Sequence, residues 1–173
     1  EKLNNMIYNC KVLFIFQLIF LLTGCGIYSF SGISITEETK TFTVLKVKSE
    51  ASLIHPNFIN SFTNTLIDKC QQEINLSFVE KNPNISFSGR IKKYEIQPVS
   101  IQNDETAAQN RLTISIEINY INHLDDSKNF QTTFTDYIDF NSDLIFSNIE
   151  DDLNENLINT LLEDLFNMTF MDW

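Results

Sequence analysis

Arg111-Leu112-Thr113-Ile114-Ser115-Ile116-Glu117-Ile118-Asn119-Tyr120-Ile121 alternates apolar and polar side chains without interruption. Successive residues of a strand point to opposite faces, so Leu112, Ile114, Ile116, Ile118 and Tyr120 line one face. Thr113, Ser115, Glu117 and Asn119 line the other. One face is core and one is wet.

Downstream, Leu124-Asp125-Asp126-Ser127-Lys128 reads as a hairpin loop, and Phe130, Phe134, Ile138 and Phe140 then alternate with Gln131, Thr133 and Thr135. The two strands should pair antiparallel. Upstream, Ile85 to Ile96 places Ile85, Phe87 and Ile91 on one side and Ser86, Ser88, Arg90 and Lys92 on the other; Gly89 marks a bulge or a close backbone approach. Lys81-Asn82-Pro83-Asn84 is a turn by composition. Leu76 to Glu80 is a short strand. Thr41 to Lys48 is a first strand whose apolar positions change phase between Phe42, Val44 and Leu45, Val47, as a bulge or two-sided burial would require. The polar stretch Gln102 to Ala108 is a loop.

Two helices complete the pattern. His55-Pro56 opens the first, because proline is tolerated at the first helical position. Phe58, Phe62, Leu66, Cys70 and Ile74 recur every four residues, with Asn60, Asn64, Asp68 and Gln71 elsewhere around the helix. Ser147 followed by Glu150 has the spacing of a capping box, with Glu150, Asp151 and Asp152 suited to a helix N-terminus. Ile149, Leu153, Leu157, Leu161, Leu165 and Met168 form the stripe of the last helix. Ile158, Leu162 and Phe166 widen it beyond what one sheet face requires, so the extra width should pack on the first helix. The order strand, helix, four strands, helix predicts a two-layer α+β domain, with two helices on one face of a largely antiparallel, four- to five-stranded sheet.

The start of the chain has a different logic. Lys11 precedes an apolar run from Val12 to Leu22, broken only by Gln17, which ends in Leu22-Thr23-Gly24-Cys25. A membrane-crossing helix needs about 20 apolar residues, whereas a secretory leader needs roughly 7 to 15. The run is therefore expected to be a cleaved leader, residues 1–24, with Met6 a plausible start. Leu22, Thr23 and Gly24 resemble a bacterial lipobox, in which the thiol of the following cysteine is joined to a diacylglycerol. Cys25 is the expected lipid-bearing residue, followed by a tether to residue 39 and a single domain over 40–173. Acyl chains contribute about 0.8 kcal/mol per buried CH₂, so a multiply acylated cysteine holds a soluble domain at a membrane.

The chain has 173 residues and a net charge of −11; losing Lys2, Lys11 and Glu1 with the leader would make it −12. Nucleic acid and anionic membrane surfaces recruit clustered cations, so general binding to either is disfavoured. Of three cysteines, Cys10 leaves with the leader and Cys25 carries lipid, so Cys70 has no partner and should be a small core residue. No enzyme site assembles from the sequence. His55 and His123 lie beside a helix-starting proline and a hairpin loop, and no Gly-x-Ser-x-Gly, Cys-x-x-Cys or His-x-x-x-His spacing occurs. Asp125-Asp126 and Asp151-Asp152 read as a solvated loop and helix-terminus partners, and Asn103-Asp104-Glu105 lacks the ligand pattern of a calcium loop. No metal or cofactor is expected.

With helices on one face, the other presents Ser86, Ser88, Thr113, Ser115, Thr133 and Thr135 together with Arg90, Lys92 and Arg111. This surface either meets solvent or suits a polar enclosure such as the lumen of an outer-membrane barrel. Lys93 joins Arg90 and Lys92 in the densest cationic stretch, with Arg111 as a candidate neighbour. These residues either meet lipid phosphates and acidic sugars or solubilise a sheet edge.

Cys25-Gly26-Ile27-Tyr28-Ser29-Phe30-Ser31-Gly32, then Asn110-Arg111-Leu112-Thr113-Ile114, then Glu150-Asp151 and Glu163-Asp164-Leu165-Phe166-Asn167 resemble the LptE family of lipopolysaccharide-assembly lipoproteins, in its Bacteroidetes-type form. The resemblance spans Cys25 to Trp173. It implies two helices on a four-stranded sheet and a non-enzymatic plug in the LptD-like outer-membrane β-barrel, which delivers lipopolysaccharide to the cell surface. It also implies an anchor on the periplasmic side of the outer membrane, and contact with lipopolysaccharide through basic residues, of which this chain has few. The alternative is a lipid-anchored adaptor of similar fold that binds a different envelope protein.

Overall fold

The computed structural model describes residues 35–36, 38–51, 54–99 and 108–171. Leu22 to Cys25, most of the tether and the loop around Asp104 lie outside the described residues. Eight principal elements follow in chain order: β1 (Thr41–Val44), β2 (Lys48–Ser49), α1 (Phe58–Gln72), β3 (Ser77–Phe78), β4 (Ile85–Val99), β5 (Gln109–Asn122), β6 (Phe130–Asn141) and α2 (Phe146–Phe170). The sheet runs β3-β1-β4-β5-β6, with β2 also paired to β4. The expected α+β architecture is present, with six strands rather than four or five.

The extra strand comes from the phase change in the first strand. Leu45 is 52% exposed while Val47 is buried, and the expected Thr41–Lys48 strand divides into β1 and β2, each parallel to β4. Chain that enters through α1 returns as β3 parallel to β1, as a helical crossover allows. The Leu76–Glu80 strand shortens to two residues. Asn84 secures the start of the sheet: its Oδ1 accepts from the Lys40 and Thr41 backbone N–H groups at 2.9 and 3.0 Å and from Thr41 Oγ1 at 2.9 Å. The long strands β4, β5 and β6 form an antiparallel meander. Asn122 closes its second turn by accepting from Leu124 and Asp125 N–H.

The core lies between the helices and one sheet face. Phe58, Phe62, Leu66 and Cys70 of α1 are buried at their spacing of four. They belong, with Leu112, Ile114, Ile116 and Ile118 of β5, none more than 1% exposed, to one apolar cluster. Each such side chain contributes about 1.5–3 kcal/mol on burial. Ile158, Leu162 and Phe166 are buried as well, so the wide stripe of α2 serves the core. Gly89 is a close approach: a Cβ there would lie 3.0 Å from Ile118 Cδ1 and 3.3 Å from Glu117 O. After α1, Asn75 takes the left-handed φ of 59° and turns the chain into β3.

The start of α2 departs from expectation. Its N-cap is Ile145, Ser147 lies inside the first turn, and no side chain caps the helix. Glu150 instead accepts the Tyr94 hydroxyl at 2.6 Å. Glu150 is thus engaged in a tertiary bond to a half-buried phenol, in place of the expected capping box. Phe146 packing on Phe140, with ring centres 5.6 Å apart, sets the entry of the helix. Glu150, Asp151 and Asp152 therefore stand in the second turn, past the reach of the helix dipole.

Candidate functional site

The sheet face away from the helices is built in rows across β4, β5 and β6. Cross-strand register places Ser88, Asn119 and Gln131 in one row and Arg90, Glu117 and Thr133 in the next. Lys93, Ser115 and Thr135 follow, then Glu95, Thr113 and Tyr137, and finally Gln97, Arg111 and Asp139. Register slips between Ile91 and Lys93, which leaves Lys92 without a cross-strand partner. That bulge turns Lys93 out beside Arg90, where strict alternation would aim it at the core.

Five of the six expected hydroxyl positions fall in these rows, and Ser86 extends the same side of β4 opposite Ile121. Ser86 and Ser115 are recessed, at 5% and 8% exposure. Ser86 Oγ is 3.1 Å from His123 Nε2, and Thr135 donates to Ser115 at 2.8 Å. The outermost hydroxyls therefore belong to Thr133 and Thr135.

Each expected cation already faces a carboxylate. Arg90 donates from Nε and Nη2 to Glu117 Oε1 at 3.0 and 2.6 Å and from Nη1 to Glu50 at 3.4 Å. Lys92 reaches Glu50 at 2.6 Å and Lys93 reaches Glu95 at 2.7 Å. Arg111 forms a two-bond fork with Asp139 and stacks on Tyr137. The hydrogen bond from Lys92 holds Glu50 below the usual carboxylate range, and that from Arg90 does the same for Glu117. Arg111 is not a neighbour of Arg90. Arg90 sits opposite Glu117, six positions along β5 from Arg111, about 20 Å at the rise of a strand. The face is rich in hydrogen-bonding groups and balanced in charge.

Sequence reasoning missed Glu50, Tyr137 and Asp139 as members of this face. Alternation offered Glu117, but its pairing required the register. A cleft of about 490 Å³ beside the Arg90–Glu117 pair is lined by Lys46, Lys48, Ser88, Asn119 and Gln131 among others. Among the described residues no His, Cys, Asp and Glu cluster could hold a metal ion, and no helix is long and apolar enough to cross a membrane.

The family model for LptE, described as lipopolysaccharide-assembly, matches residues 39–169. The chain belongs to the LptE family. The match runs from just before β1 into the last turn of α2, and includes the Asn110-to-Ile114 strand entry and the Glu163-to-Asn167 segment. LptE proteins are non-enzymatic and work with LptD in lipopolysaccharide assembly. No curated protein matches the sequence. Among solved structures, the XCC0632 protein of Xanthomonas campestris is similar over 73% of this chain and 80% of its own, at 7% identity and a TM-score of 0.50. A minor lipoprotein of Acinetobacter baumannii matches over 77% and 97% at 10% identity and a TM-score of 0.43. Rare lipoprotein B of Shewanella oneidensis matches over 71% and 92% at 9% identity and 0.41. Membership of the family indicates a role in lipopolysaccharide assembly.

Proposed function

We propose that this LptE-family chain is a lipid-anchored plug and assembly partner of an LptD-like outer-membrane β-barrel. Acylated Cys25 holds it on the periplasmic side of the outer membrane, and it performs no catalysis. The observation that carries the reading is the charge-balanced polar face of β4, β5 and β6. A barrel lumen is polar, and a plug needs hydrogen-bonding groups there without a surplus of buried charge. Ser88, Thr113, Thr133 and Thr135 are the barrel-facing hydroxyls of this reading, with Ser86 and Ser115 recessed behind them. Arg90, Lys92, Lys93 and Arg111 meet lipopolysaccharide phosphates or acidic sugars by exchanging their present carboxylate partners.

Affinity purification of the lipid-bearing protein from detergent-solubilised envelopes tests the partner. A large barrel recovered near stoichiometry supports the plug, and another envelope protein in its place overturns it. Depletion should strand lipopolysaccharide inside the cell; normal surface display would contradict the transport role. Replacing Arg90, Lys92 and Lys93 together by Gln tests lipid contact, since unchanged lipopolysaccharide binding in vitro would remove these residues from it.

A further inference from the structure

Charge is unevenly distributed along this chain. Residues 130–173, which include β6 and α2, hold ten of the 23 Asp and Glu and none of the 12 Lys and Arg. Where the first turns of α1 pass α2, the helices part around a groove of about 410 Å³. Asp151 and Glu155 of α2 line one side, Ser61, Asn64 and Thr65 of α1 the other, and His55 also borders it. Asp151 and Glu155 are exposed.

Asn154 also lines this groove, and it is 5% exposed with a side-chain nitrogen that has no hydrogen-bond partner. Its carboxamide oxygen is 3.0 Å from Tyr94 Oη, which is also 2.6 Å from Glu150 Oε1. A phenol has one hydrogen and cannot donate to both. The shorter bond, to a carboxylate, takes it. Tyr94 Oη then accepts, so the Asn154 amide is turned with its nitrogen toward the phenol, an orientation that only the hydrogen-bond network assigns. The buried atom left without a partner is the amide oxygen. Thr65 spends its hydrogen on Ser61 O at 2.9 Å and keeps its lone pairs free. The groove thus offers acceptors: two carboxylates, a buried amide oxygen and a hydroxyl. His55 Nε2, 3.5 Å from Asp151 Oδ1, leaves most of that capacity unused. The positive end of the α1 dipole fades within one turn and does not offset two carboxylates.

A second groove, of about 490 Å³, shares His55 as a wall and is lined by Ile54, Pro56, Tyr94, Ile96 and Phe146. Ile96 is 40% exposed. We propose that the paired grooves receive a segment of a partner polypeptide, an arginine entering between Asp151, Glu155 and Asn154 and an adjacent apolar side chain covering Ile96 and Phe146. A guanidinium fork can satisfy a carboxylate and the amide oxygen together, and the excess negative charge of β6 and α2 is complementary to such a segment. The charged groove lies between the helices, while the apolar one reaches β4, with Glu95 at the margin of the polar sheet face among its lining residues; the proposal holds whichever envelope protein meets that face.

The test uses the isotope-labelled lipid-free mature chain and acetyl-Arg-Leu-amide as probe, followed by nuclear magnetic resonance. The probe should shift the Asn154 side-chain and His55 signals saturably. The citrulline analogue should bind at least tenfold more weakly. Asp151→Asn with Glu155→Gln should reduce arginine-probe binding by a similar factor at an unchanged thermal midpoint, and Asn64→Leu should block the groove from the α1 side. Equal binding of the citrulline probe, or indifference to these variants, would overturn the proposal. Shifts spread over the Glu163 and Asp164 region without saturation would reveal only general attraction and also overturn it. Spermidine binding at the groove as tightly as the peptide would overturn the polypeptide assignment.

Discussion

Arg111 donates from Nε and Nη2 to the two oxygens of Asp139 at 2.7 and 2.8 Å, while its guanidinium carbon sits 3.7 Å from the centre of the Tyr137 ring. Planarity serves both contacts, and a lysine reproduces neither. Arg111→Lys should lower the thermal midpoint as much as Arg111→Gln does, by the small amount usual for a solvent-facing pair. Recovery in the lysine variant would show that charge alone matters there.

The acid side of the stability profile follows from the same face. Hydrogen bonds from Lys92, Arg90 and Arg111 lower the pKa values of Glu50, Glu117 and Asp139, respectively. A carboxylate with a lowered folded-state pKa stabilises the fold fully above its ordinary value, 4.5 for Glu and 3.8 for Asp, and loses that contribution as pH falls through the folded value. Thermal midpoints should therefore drop below about pH 4.5. The drop should shrink when Glu117 and Asp139 are replaced by Gln and Asn; an unaltered profile in that variant would remove these pairs as its cause.

Gly89→Ala places a methyl group 3.0 Å from Ile118 Cδ1 and 3.3 Å from a backbone oxygen. Overpacking of this kind costs about 1–3 kcal/mol. Urea denaturation should show that loss, and a variant as stable as the parent would mean that β5 yields at this point.

Tyr94→Phe removes the hydroxyl between Glu150 and Asn154 and leaves both without that partner. A buried group stranded in this way costs about 1–3 kcal/mol. Denaturation midpoints of Tyr94→Phe alone and combined with Asn154→Leu check the argument, because the second change should recover part of the loss. Additive losses would contradict it.

Cys70 is fully buried, and desolvation pushes its thiol up to about 12. The thiolate is the reactive form, so Ellman's reagent should leave Cys70 untouched at pH 8 in the folded lipid-free protein and modify it on unfolding. Rapid reaction in the native state would place the thiol outside the core.

The alternation from Leu112 to Tyr120 and the four-residue spacing from Phe58 to Cys70 are relations between near neighbours in the chain. Backbone period converts them directly into faces, so the two-layer architecture, the core and the hydroxyl face were all legible in the sequence. The family motifs were legible for the same reason, being local strings. Register and tertiary competition are not local. The slip at Lys92 depends on how β4 lies against β5, and it turns Lys93 outward, while the pairing of Arg90 with Glu117 follows from the register of the two strands. Glu150 makes no capping box and instead accepts a hydrogen bond from Tyr94, 56 residues away in the chain. Cations that read as a free basic patch became a neutral surface once folding placed Glu50, just after β2, and Asp139, on the neighbouring strand β6, beside them. Charge in a sequence is a sum, whereas charge on a surface depends on which groups folding brings within hydrogen-bonding distance.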